Sequence, residues 1–200
     1  MLLSPRPLIL LCLAVACVSR DEPARDTARD AAATPPATPP VAPLVVTDSA
    51  ASSRWVVSPK GYGPVVAGMP LAALSSALGE PLRATNEAGS GCGYVRPAAL
   101  PKDVLVMVVN DTVARVDVRA RTVLTGEGVG VGDTEAKVLE RYAGRVRTTP
   151  HKYTGPTGHY LTVSAPPDST HLIVFETDGR AVVNYRAGRR PAVELVEGCS

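Results

Sequence analysis

The sequence predicts an α+β fold of two tandem repeats, each a short helix packed on an antiparallel β-meander, behind a signal peptide and a disordered tether. Three observations predict it. A helix-like segment occurs twice, at an offset of about 64 residues. Each copy is followed by valine- and leucine-rich runs broken by Asn-Asp or Asp-Gly turns, the pattern of β-hairpins. Ahead of both lies a short apolar run and then a stretch rich in proline and alanine.

Residues 1–16 read as an export signal. The apolar run from Leu8 to Ala16 is about nine residues long, whereas a helix needs about 20 to cross the hydrocarbon core, so the run is a cleavable leader and not a span. Ala14-Val15-Ala16 fits the small-x-small pattern of ordinary signal peptidase, and the same residues followed by Cys17 resemble a bacterial lipobox. Both enzymes would cut after Ala16, and the choice between them stays open at this point. The usual lipobox carries Leu three residues before the cysteine; here Leu13 lies four before and Ala14 takes that place. Cysteine parity favours lipidation of Cys17: Cys12 leaves with the leader, so simple secretion would strand Cys17 beside Cys92 and Cys199, while lipidation leaves an even pair. The resemblance to bacterial lipoproteins implies several acyl chains on one cysteine, and two or more give stable anchoring. Val18 in place of Asp after the cysteine implies, by that resemblance, the outer membrane facing the periplasm.

From residue 17 to 54 the composition shifts to charged residues and then to Ala and Thr threaded with Pro35-Pro36 and Pro39-Pro40. Proline removes backbone donors and favours extended chain, and the segment has too little apolar mass to offset the entropy of ordering. It is expected to act as a lipidated, disordered tether with a reach of at most about 100 Å.

Residues 55–124 and 125–200 form the two expected repeats, read as one globular body because a lone unit could bury only part of its apolar face. With one Trp and one Phe in 200 residues, valine and leucine must do most of the packing. The formal net charge of +2 comes from basic residues scattered among acidic ones, which argues against a nucleic-acid surface and allows only weak attraction to anionic envelope polymers.

The helix segments align as residues 66–79 with 130–143. In the first, Pro70 suits the opening helical position, Leu71, Leu74 and Leu78 form a stripe, and Gly79 ends the helix. In the second, Asp133 is the expected cap, Val138 and Tyr142 the matching face and Gly144 the stop. Downstream, Val104–Val109 and Val113–Val118 flank Asn110-Asp111, while Leu172–Phe175 and Ala181–Tyr185 flank Asp178-Gly179. Further strands are expected around Gly93-Tyr94-Val95 and Tyr160–Val163, with His151-Lys152-Tyr153 as a fourth in the second copy.

Gly68-Met69 followed by Leu74, Leu78-Gly79 and Pro81 resembles the repeat signature of the SmpA/OmlA outer-membrane lipoprotein family and of the tandem-repeat beta-lactamase inhibitory proteins. The chain departs from that signature in having Pro70 where Thr is usual. The resemblance implies protein binding through one sheet face or its loops, as a scaffold or inhibitor, and transfers no binding residue.

Cys92 and Cys199 read as a disulfide that ties the carboxyl terminus to the first repeat, in keeping with an oxidising compartment. His151, His159 and His171 lack metal-ligand spacing and an acidic partner fixed beside them, so surface strand histidines are expected and no metal. Gly126, Gly128, Gly130 and Gly132 miss both the dinucleotide and P-loop spacings and read as turn glycines. Glu194 and Glu197 carry no mark of an acid/base couple, and no catalytic or cofactor-binding residue is expected. The function these readings favour is a non-catalytic interaction module of the cell envelope with a protein partner. The alternative is an inhibitor or sensor of an envelope enzyme. An enzyme with a cleft between the repeats ranks third, and its mark would be a pocket of titratable groups with shifted pKa values.

Overall fold

The computed structural model describes residues 55–86 and 91–199; the expected leader, Cys17 and the tether lie outside them. Within them the chain is α+β, with two antiparallel sheets and few helices. A small sheet of β1 (Val57–Ser58), β2 (Gly61–Tyr62) and β3 (Val65–Val66) comes first, then α1 (Leu71–Leu78). There follow β4 (Thr85–Asn86), β5 (Cys92–Val95), β6 (Val104–Val109) and β7 (Thr112–Val118). After α2 (Glu135–Arg141) come β8 (Val146–Pro150), β9 (His159–Ala165), β10 (Asp168–Thr177) and β11 (Val182–Arg189), and a single 3-10 turn at Ala192–Glu194. Strands β4 to β11 make one eight-stranded sheet in the order β4-β5-β6-β7-β11-β10-β9-β8. No helix of the described residues is long and apolar enough to cross a membrane.

Local chemistry explains where the helices start and stop. Pro70 is extended (φ −63°, ψ 144°) and caps α1 from outside instead of opening it, its carbonyl accepting from the Ala73 and Leu74 N–H groups. Gly79, at φ 68°, takes the left-handed turn that ends α1, where a side chain would be disfavoured. Thr134, not Asp133, caps α2, accepting from Lys137 N at 3.2 Å. Asp133 is engaged one turn earlier, where it accepts from Gly130 N at 2.8 Å and Lys137 Nζ at 2.9 Å. Helix α2 ends at Tyr142, two residues before Gly144.

The β6–β7 hairpin turns on Asn110 (φ 48°) and Asp111 (φ 56°), the two positive angles that a two-residue turn matching strand twist demands. In the second hairpin Asp178 Oδ1 accepts from the N–H groups of Arg180 and Ala181. The strand expected at His151–Tyr153 is corrected: the outer strand is β8, and residues 151–157 turn. His151 Nδ1 accepts from Tyr153 N at 3.1 Å and Thr154 N at 3.2 Å, which bends the chain back on itself. Arg145 and His151 bond toward β9, so the backbone groups of Val146, Thr148 and Pro150 point away from it along the edge, although the Val146 side chain packs on the core. Pro150 has no N–H to offer there, which blunts the edge against further pairing.

Strand alternation sorts side chains onto two faces of the large sheet. Val104, Val106, Ile173 and Phe175 join Leu71, Leu74, Val138 and Tyr142 in the main core, so both helices and the small sheet cover one face. The few rings concentrate there. Phe175 lies between Tyr142 and Tyr185, at centroid distances of 5.8 Å and 5.3 Å. Tyr185 Oη donates to Val123 O at 2.9 Å, whereas Tyr142 Oη is buried without a hydrogen-bond partner. Met107, Leu172 and Val174 point to the opposite face, into two smaller clusters completed by the carboxyl-terminal segment.

Candidate functional site

That opposite face is built around charge. Between β6 and β7 the register slips, with Met107 opposite Arg115 but Val108 opposite Val113, so Ala114 is bulged. The bulge turns Ala114 and Arg115 toward the same face, a re-aiming that bulges commonly perform. Gly188 on β11 sits opposite Arg115. A Cβ there would strike Ala114 O and lie 2.6 Å from Arg115 Cβ, so the bulge needs a glycine.

Arg115 is buried and makes four hydrogen bonds. Its Nη1 donates to Ala192 O at 2.7 Å and Leu195 O at 2.6 Å, its Nη2 to Tyr94 Oη at 3.1 Å and its Nε to Asp117 at 3.0 Å. Arg186, equally buried, donates from Nε to Val193 O at 2.6 Å and pairs through Nη1 with Glu176. Asn184 Nδ2 donates to Glu176 at 2.9 Å, and His151 Nε2 stands 3.7 Å from the same carboxylate.

The residues from Pro191 to Cys199 thus form a strap across the sheet. Ala192 packs with Met107 and Ala114, and Val193 and Val196 pack with Tyr160, Leu172 and Val174. Beyond it, Cys199 is joined by a disulfide to Cys92 on β5, Cα atoms 5.4 Å apart. Glu197 meets Lys152 Nζ at 2.9 Å and the Tyr153 hydroxyl, and Glu194 meets Arg190 at 3.4 Å. Under the strap is a polar cavity of about 250 Å³, lined by Tyr94, Asp117, Arg119, Glu176, Asn184 and Val196 among others.

Two carboxyls in this cavity are pushed apart. Burial raises the Asp117 carboxyl above the usual aspartate range, outweighing Arg115, although 21% of its side chain still reaches solvent at the cavity mouth. Burial also opposes ionisation of Glu176, but Asn184, Arg186 and His151 overcome it and hold that carboxyl below its ordinary value. Burial, and then the charge of Asp117, raise the Tyr94 phenol.

The sequence-predicted residues scatter around this site. Cys92 and Cys199 are joined at the end of the strap. The histidines do not meet, and the expectation that they lack acidic partners is corrected. His151 faces Glu176 and stacks on Tyr160 at 4.5 Å, His159 Nδ1 lies 2.9 Å from Glu135, and His171 Nδ1 lies 2.8 Å from Asp168. Among the described residues no three His, Cys, Asp or Glu side chains gather to hold a metal ion. The glycine run forms tight turns, with Gly128 at φ 72° and Gly132 at φ 95°. Sequence reasoning passed over Arg115, Asp117 and Arg186. Their signal was charge placed inside otherwise apolar strands, in Val-Ala-Arg-Val-Asp-Val and Asn-Tyr-Arg-Ala-Gly.

No protein-family model matches the chain, and no curated protein does. Among solved structures it is similar to the uncharacterized protein yfeY from Escherichia coli, at 17% identity and a TM-score of 0.42, over 67% of this chain and 99% of that one.

Proposed function

We propose that this chain is a lipid-anchored, non-catalytic protein-interaction module of the cell envelope, built from two copies of one helix-plus-meander unit. Support for the duplication comes from order and register. A helix precedes four strands twice. Both hairpins slip by one residue at the same place, with Ala114 bulged in β7 and Val183 in β11. Counted from those bulges, Asp117 and Arg186 occupy equivalent positions, and they pair with each other where β7 meets β11.

The strapped face does hold a pocket of titratable groups with shifted pKa values, the mark expected of an enzyme, with Asp117 and Tyr94 raised and Glu176 lowered; what favours binding over catalysis is how the charges of that face are used. Arg115 and Arg186 each donate to backbone carbonyls of a polypeptide segment and each neutralise one carboxylate. Such a face is organised to hold peptide. Anchoring through Cys17, and the Pro/Ala-rich segment as a spacer between membrane and domain, rest on the lipobox-like residues and cysteine parity.

Crosslinking in cells through a photoreactive residue on the domain surface should trap a protein partner; adducts to nothing but lipid or water would sink the interaction reading. Intact mass of the mature amino terminus tests the anchor separately. An acylated Cys17 is expected, and an unmodified Cys17 rules the anchor out.

A further inference from the structure

The strap differs from the rest of the domain in how it is held. The backbone bonds seen in its first half stay within it, Glu194 N and Leu195 N bonding to Pro191 O and Ala192 O. Its attachment is made by side chains: two buried arginines, the contacts of Ala192, Val193 and Val196, the Glu197 contacts and the disulfide. None of its residues belongs to the main core, which lies on the other face of the sheet. Its apolar side chains occupy two separate small clusters. Gly198 lies so close over Tyr94 that a Cβ would sit 2.5 Å from the hydroxyl.

We infer that the strap is a resident peptide in a peptide-binding face, and that reduction of Cys92–Cys199 frees this face for a segment of a partner protein that takes up the same short 3-10 turn. The inference rests on the interaction reading above and names its surface and its regulation. What the strap presents defines the partner's chemistry. The segment must offer carbonyls to Arg115 and Arg186, spaced as in residues 192, 193 and 195, with small apolar side chains where Ala192, Val193 and Val196 lie. It needs no charge of its own, because both guanidiniums are already balanced by Asp117 and Glu176.

In the oxidised chain the strap is fastened at both ends: Arg189 ends β11 only two residues before Pro191, and Cys199 is bonded to Cys92. Both cysteines are half-buried. A dithiol donor attacks one sulfur, the S–S bond breaks, two electrons and two protons pass to Cys92 and Cys199, and the donor closes its own disulfide. With one end released, strap and partner compete for the same arginines. A tethered competitor retains a high effective concentration, so opening is partial until a partner or a second change displaces it.

The full chain tests this, oxidised and after reduction with a phosphine. Amide hydrogen exchange of residues 192–199 should accelerate at least about tenfold on reduction while that of β6, β7, β10 and β11 does not change. A labelled peptide of residues 190–199, with Ser at its last position, should bind the full-length Cys199→Ser, Val193→Asp double variant, whose own strap cannot reseat. It should bind the oxidised wild type at least about tenfold more weakly. Unchanged exchange at 192–199 on reduction overturns the proposal, as does equal peptide binding to the two proteins. So does collapse of the sheet in the reduced chain, since the strap would then be core and not cover. None of these outcomes depends on a partner being trapped in cells, so the two readings fail separately.

Discussion

Arg115 on β7 and Arg186 on β11 reach from adjacent strands to one short segment, Arg115 taking the carbonyls of Ala192 and Leu195 and Arg186 taking that of Val193 between them. Each also neutralises a carboxylate on its own face, Asp117 and Glu176. Removing one member of a buried pair leaves the other charge uncompensated, at a cost of about 3–5 kcal/mol. Arg115→Met and Arg186→Met should each lower the urea-unfolding free energy by about that much. Arg119→Met at the exposed rim should change it by less than about 0.5 kcal/mol.

The two carboxyls predict opposite pH signatures. Glu176 has a folded pKa below its ordinary value of 4.5, so its stabilisation is fully present above 4.5 and is lost as pH falls through the depressed folded value. Asp117 is raised above its ordinary 3.8, so the folded state holds its proton longer than the unfolded chain, and stability declines as pH climbs from 3.8 through the raised value. Urea midpoints between pH 3 and pH 7 should show Glu176→Gln flattening the acid limb. Asp117→Asn should gain on the wild type as pH rises through the carboxylate range. Parallel curves for all three proteins would refute the assignment.

Tyr142 and Tyr185 flank Phe175 in the main core and differ in one hydrogen bond. Burial pushes the Tyr142 phenol up to about 12 and pushes that of Tyr185 up as well. Only Tyr185 is satisfied, by Val123 O at 2.9 Å. Tyr142→Phe removes a buried hydroxyl that completes no hydrogen bond and only approaches Thr125 and Glu127, so it should change stability by no more than about 1 kcal/mol. Tyr185→Phe strands the Val123 carbonyl and should cost about 1–3 kcal/mol. Thermal melting of both variants distinguishes them.

Much of this fold was legible because the elements are local. The Leu71, Leu74, Leu78 stripe with Gly79 behind it specifies a helix within one segment, and Asn110-Asp111 specifies a turn whatever surrounds it. The short strands β1 to β4 were not read, because two residues cannot display a period and their pairing depends on neighbours. The outer strand was placed one segment late because His151-Lys152-Tyr153 reads as extended chain, while the bend there comes from the His151 ring accepting from the next residues' N–H groups. The strapped face was hidden for a different reason. Arg115 and Ala192 are distant in sequence, and the bulge that aims Arg115 depends on a glycine in another strand.

That glycine allows a last prediction. Gly188 faces Arg115 across the β7–β11 ladder, where an added methyl would meet the Ala114 carbonyl and lie 2.6 Å from both Cα and Cβ of Arg115. These are backbone or near-backbone atoms that cannot rotate away, so Gly188→Ala must separate the strands or flatten the bulge. Either shift moves the Arg115 guanidinium off the Ala192 and Leu195 carbonyls, so the cost combines overpacking of about 1–3 kcal/mol with loosened strap bonds. Gly144 is the comparison: nothing lies within 4 Å of its added Cβ, and only its φ of 74° resists a side chain. Gly144→Ala should cost about 1 kcal/mol and leave hydrogen exchange at residues 192–199 unaltered. Gly188→Ala should cost more and speed exchange there; equal effects of the two substitutions would show that the strap does not depend on the bulge.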